Sequence, residues 1–96
     1  MVTYLISYDL HKPSQGNDEL TGALRSKGAR RILNSSWSLT TSSSAEQVRS
    51  WVMQFLSEKD RVIICAVGEY ASYNPMVEIR AAVERNGDGQ HRPGES

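Results

Sequence analysis

Asp9 is the residue of this chain best placed to do chemistry. It closes a run in which Val2, Tyr4, Ile6 and Tyr8 alternate with Thr3, Leu5, Ser7 and Asp9. This period of two predicts a strand with Asp9 at its end, on the face that also carries Leu5 and Ser7. An ionised carboxylate there can hold a divalent cation, and Ser7 can orient the carboxylate or a bound water. His11, two residues on, is of a type that suits a proton carrier or an outer-sphere partner of a metal. The competing role for Asp9 is local, since aspartate at a strand end often caps a turn or accepts hydrogen bonds from loop amides. Arg25, Lys27, Arg30 and Arg31 form a basic cluster, with Lys12 closer to Asp9, and either a phosphate backbone or solvent suits such a cluster. The sequence holds no paired Cys or Cys-His spacing for zinc, no glycine-rich phosphate loop and no assembled Ser-His-Asp set.

The elements that would position these residues follow from periodicity and punctuation. Residues 10–16 contain Pro13, Ser14 and Gly16 and read as a loop. Asn17 then caps a first helix, with Asp18 and Glu19 at its positive end, Leu20, Ala23 and Leu24 on one face, and Gly28 as the stop. Residues 30–34 and 37–41 read as two short strands joined by a tight reversal. Ser44 opens a second helix, because Ser44 and Gln47 have capping-box spacing and Ala45, Val48, Trp51, Val52, Phe55 and Leu56 form one apolar stripe that makes Trp51 a core residue. Residues 61–67 are apolar on both faces, as in a strand covered on both sides. Asn74-Pro75 then starts a terminal helix with Met76, Ile79, Ala82 and Val83 near one face; a strand that pairs with a partner is the alternative. Residues 86–96 hold three glycines, a proline and almost nothing apolar, which predicts a disordered tail.

Strand, helix, two strands, helix, strand has a compact solution in the ferredoxin-like β-α-β-β-α-β sandwich, an α+β domain over residues 1–85 with both helices on one face of an antiparallel sheet. The other face would be bare, so a homodimer is expected to cover it. With 96 residues a second core is implausible. Eleven acidic and eleven basic side chains remove any case for a polyanionic or membrane partner from net charge, and leave only local patches. No apolar run approaches the roughly 18 residues that span a bilayer, and no export leader is evident. Cys65, the single cysteine, lies in an apolar run and reads as a small buried hydrophobe, which with the missing leader predicts a cytoplasmic protein.

Three segments carry a resemblance: Tyr8-Asp9-Leu10 at the end of the first strand, residues 31–37 ahead of the third, and residues 44–56 followed by Asp60-Arg61-Val62-Ile63-Ile64. In order and spacing over residues 3–67 the chain resembles the Cas-two-like proteins: the CRISPR-associated Cas-two proteins, the VapD-type ribonucleases and, most of all, the SinR-like proteins. The resemblance implies a homodimer that binds RNA or DNA. It also implies a metal-dependent nuclease in which Asp9 of each subunit holds Mg²⁺ or Mn²⁺ across the dimer axis. Ser36 and Trp37 match a serine and an aromatic residue of those families; Trp37 can stack a base, although its alternation with Leu39 favours core or dimer packing. The chain departs from the CRISPR pattern in its first loop and helix, where Lys12, Arg25 and Lys27 are the basic residues. That shortage of charge weakens duplex binding. The other class of function is a noncatalytic interaction or assembly module that presents the terminal helix or a strand edge to a partner.

Overall fold

A computed structural model describes residues 1–77 and 79. Six elements follow in order: β1 (Val2–Asp9), α1 (Pro13–Ser26), β2 (Arg30–Leu33), β3 (Ser36–Thr41), α2 (Ala45–Met53) and β4 (Arg61–Ala66). The four strands form one sheet in the order β2-β3-β1-β4, every neighbouring pair antiparallel. The molecule is thus a mixed α+β fold with a four-stranded antiparallel sheet and two helices.

Alternation in β1 decides what each sheet face is. Tyr4, Ile6 and Tyr8 are buried on the inner face and join Leu20 and Leu24 of α1, Val48 and Val52 of α2, and Trp37 and Leu39 of β3 in one core. Two polar tips inside it are satisfied: the Trp37 Nε1–H donates to the Tyr8 hydroxyl (3.0 Å) and the Tyr4 hydroxyl donates to the Ser43 carbonyl (2.8 Å). Register places Thr3, Leu5, Ser7 and Asp9 on the outer face, opposite Thr40, Ser38 and Ser36 of β3 and Cys65, Ile63 and Arg61 of β4. On β1 and β3 this face is mostly hydroxyl. Thr3 and Thr40 hydroxyls meet at 2.7 Å, and those of Ser7 and Ser36 at 2.9 Å.

The helix ends follow known chemistry. At α2 the Ser44 Oγ accepts from the Gln47 N–H (3.1 Å) while Gln47 Oε1 accepts from the Ser44 N–H (2.8 Å), the capping box expected from the sequence. α1 stops where Gly28 takes a φ of 85°. There the Gly28 N–H reaches the Arg25 carbonyl and the Ala29 N–H the Leu24 carbonyl, both at 3.0 Å, the paired bonds of a Schellman ending. The start of α1 corrects the sequence reading. The helix begins at Pro13, four residues before Asn17, because proline at the first helical position supplies a preset φ and needs no amide partner.

Other expectations also change. β4 is an edge strand, so its apolar composition does not mean two covered faces: Val62 and Ile64 pack inward, Ile63 is 57 % exposed and Cys65 is exposed rather than buried. Trp51 is half-buried, its ring edge-on to Phe55 at 5.6 Å, because it sits at the margin of the helical stripe. Residues 73, 74, 76 and 77 are bends, Pro75 has no regular structure and Asn74 has φ 56°, a left-handed value unlike that of a helix cap, so no helix starts at Pro75, although Ile79 is helical. The rest of the expected terminal helix, apart from Ile79, and the expected tail lie outside the described residues.

The outer face is not bare either. The Val67 N–H donates to the Thr3 carbonyl beside β4, and the Met76 N–H donates to the Ile32 carbonyl on β2, both at 2.8 Å. Val67 continues the line of β4 and Ile32 is on β2, the two edge strands of the sheet, about 14 Å apart at the usual strand spacing. Because the helices hold the inner face, residues 67–76 cross the outer one as a strap. Ser38, at the middle of that face, is 2 % exposed.

Candidate functional site

Asp9 ends β1 on the outer face and is 78 % exposed; its Oδ2 lies 4.0 Å from the Arg61 Nη1, its cross-strand partner. A pair this exposed and this long is screened by water and holds neither group firmly. The two line a shallow groove of about 260 Å³ with Ser7 and Ile63. Ser7 shares the face of Asp9, but its hydroxyl is engaged by Ser36. Asp9 therefore offers one open carboxylate. That suits a hard cation that keeps most of its waters, and it falls short of a metal site built from one chain. Among the described residues no three His, Cys, Asp or Glu side chains gather to hold a metal.

His11 and Lys12 belong to a different wall. They line a cleft of about 520 Å³ with Glu19, Phe55, Glu58 and Lys59. Its charges alternate in sign, so it selects neither an anion nor a cation. The organiser of this region is Asp60, which sequence reasoning passed over. Its Oδ2 accepts from the Ser57 N–H and its Oδ1 from the His11 N–H, each at 2.7 Å. Asp60 thus latches the loop after β1 to the loop before β4. Both amides stabilise the ionised form, Ser57 most and His11 next, and hold the Asp60 carboxyl below the usual aspartate range. An aspartate three residues after a serine in a turn was a local signal for the Ser57 bond; nothing local announces His11.

The basic cluster divides. The Arg31 guanidinium lies 4.9 Å from the centre of the Trp37 ring, and Arg25 lies 5.6 Å from the same ring. Arg31 also donates from Nη2 to the Thr21 hydroxyl at 3.2 Å. Lys27 sits 5.3 Å from the Trp51 ring. Arg30 pairs with Ser38 in register and so belongs to the outer face. Lys12 is apart from all of these, beside His11. Trp37 is 1 % exposed and is a core residue, so no base can stack on it. The structure brings Asp9 together with Arg61 and not with the basic cluster, of which Arg25, Lys27 and Arg31 lie on the helix side and Arg30 on the outer face at β2. No family model matches this chain, and no curated protein matches it.

Proposed function

We propose that this chain works as a Cas-two-like homodimer that binds RNA or DNA, with Asp9 of each subunit contributing to one Mg²⁺ or Mn²⁺ site for phosphodiester cleavage in the cytoplasm. The observation that carries the reading is the open Asp9 carboxylate at the end of β1, on the face away from the helices. The strand order β2-β3-β1-β4 supports a ferredoxin-like reading of the fold, since a split β-α-β arrangement places β1 and β3 at the centre. Such an ion would polarise a phosphate oxygen and activate a water. Arg61, next to Asp9, is the cation nearest to where a phosphate would lie; His11, the proton carrier of this reading, would have to turn from the cleft it shares with Lys12 toward Asp9. Ile63, exposed in the groove with Asp9, and Cys65, further along β4 opposite Leu5, supply apolar surface for a second copy.

The same two residues, with the outer edge of β4, which pairs with no further strand among the described residues, favour a second reading as an assembly module. Nuclease assays on single- and double-stranded RNA and DNA with Mg²⁺ or Mn²⁺, run beside light scattering, separate the two. The metal reading expects a dimer whose cleavage is abolished by EDTA and by Asp9→Asn, with stability nearly intact because the Asp9–Arg61 pair is worth at most about 1 kcal/mol. Cleavage that survives Asp9→Asn, or a monomer at micromolar concentration, refutes it. No cleavage of any substrate by the wild type leaves the assembly module.

A further inference from the structure

We propose that Arg25 and Lys27, with Arg31 behind them, form a phosphate-binding seat for nucleic acid on the helix side of the sheet, separate from Asp9. The inference rests on the nucleic-acid part of the reading above and is independent of its metal site.

Net charge conceals the seat. Between Leu20 and Ala45 the chain has four cations, Arg25, Lys27, Arg30 and Arg31, and no acidic residue. Folding concentrates three of them where α1 ends beside β2. One bland use of a cation there is to offset the helix dipole, but that amounts to about half a charge. The surplus has no acid partner: among the described residues the ion pair formed is that of Arg61 with Asp9.

The side chains are also held in place before any ligand arrives. Arg25 and Arg31 lie over one buried ring, that of Trp37, and Lys27 over Trp51. The Trp37 ring is itself fixed by its bond to the Tyr8 hydroxyl. A guanidinium held over a ring still has N–H groups for a phosphate, and a tethered side chain loses less entropy when it binds one. Arg25 and Lys27 are exposed and would make the contacts. Arg31, half-buried and bonded to Thr21, adds charge from behind and positions Trp37. The ligand class is a phosphodiester chain, because exposed Arg25 and Lys27 follow one another at the end of α1 with Arg31 next in β2, and cations spread along a surface match successive phosphates.

The test is binding of a fluorescein-labelled single-stranded oligonucleotide, by anisotropy, in EDTA and over a range of salt. The wild type is expected to bind with a salt-dependent affinity, and Asp9→Asn to bind equally well. The double variant Arg25→Gln/Lys27→Gln should lower the slope of log K against log salt by about 1.4, at roughly 0.7 per phosphate contact on a single strand. Lys59→Gln, in the mixed-charge cleft, should leave it unchanged. The Trp37 indole N–H signal should shift on binding in NMR spectra. No binding by the wild type, an unchanged slope in the double variant, or equal loss in Lys59→Gln overturns the proposal. Loss of binding in Asp9→Asn would place the nucleic acid on the outer face and overturn it as well. Binding without any cleavage keeps the seat and removes only the metal site.

Discussion

Replacing Ser38 by alanine should stabilise this protein, although it removes a polar group from the middle of the sheet. Ser38 is 2 % exposed and its Oγ has no hydrogen-bond partner among the described residues, whereas the hydroxyls on either side of it along β3 are paired, Ser36 with Ser7 and Thr40 with Thr3. Its neighbours across the sheet are Leu5, which has nothing to offer a hydroxyl, and Arg30, which makes no hydrogen bond to it among the described residues. A buried hydroxyl without a partner costs about 1–3 kcal/mol of desolvation. Alanine keeps the Cβ and removes a single oxygen, so packing loss recovers only a little of that cost. The expected gain is about 1–2 kcal/mol, which in a domain of this size raises Tm by roughly 4–8 °C per kcal/mol. Urea denaturation measures it as a higher midpoint at unchanged slope. Ser36→Ala is the control with the opposite sign, because it strands the Ser7 hydroxyl and should cost about 0.5–1.5 kcal/mol. If Ser38→Ala instead destabilises by more than about 0.5 kcal/mol, the hydroxyl has a partner and the account of the face beneath the strap is wrong.

Three further outcomes follow from the ends and joints of the elements. Asp60 has a lowered carboxyl pKa, so the stability it contributes is present above the ordinary aspartate value of about 3.9 and is lost as pH falls through its lower folded value. The stability gap between wild type and Asp60→Asn should therefore close as acid is added, and a gap that stays constant from pH 7 to pH 2 would contradict the latch. Gly28→Ala should cost about 1–2 kcal/mol in a thermal melt. The φ of 85° is the cause, because among the described residues an added Cβ meets no atom within 4 Å. Ser44→Ala should cost about 1 kcal/mol through the capping box, and an unchanged urea midpoint would count against that helix start.

Local chemistry was legible in the sequence wherever one segment contained its own signal. The alternation in β1, the Ser44 and Gln47 box of α2 and the Gly28 stop of α1 are all of that kind. Asp9 at its strand end was legible for the same reason. The beginning of α1 was not, since Asn17 and Pro13 are both valid starts and a helix that can begin earlier gains further backbone bonds. Residues 61–66 show the limit of composition, because an apolar strand reads alike at the centre of a sheet and at its edge, and only strand order exposes Cys65. The Asp60 latch joins positions far apart in the chain. The stacking of Arg25 and Arg31 on Trp37 likewise needs α1 laid over β2 and β3, so a linear cluster of charge could not reveal that it divides between two faces.

The central position of β1 has a consequence for the order of assembly. β1 bonds to both β3 and β4, yet in synthesis from the N-terminus it is made before either. Until Ser36–Thr41 emerges, its two edges are open to any other strand, and one remains open until Arg61–Ala66 arrives. The contacts that close the sheet are the most distant in sequence and form against the largest loop entropy. The strap can dock only afterwards, since its anchors on Thr3 and Ile32 are brought together by the finished sheet. Premature release would thus leave Tyr4, Ile6 and Tyr8 on a strand with one bare edge, the species most prone to pair with a neighbouring chain.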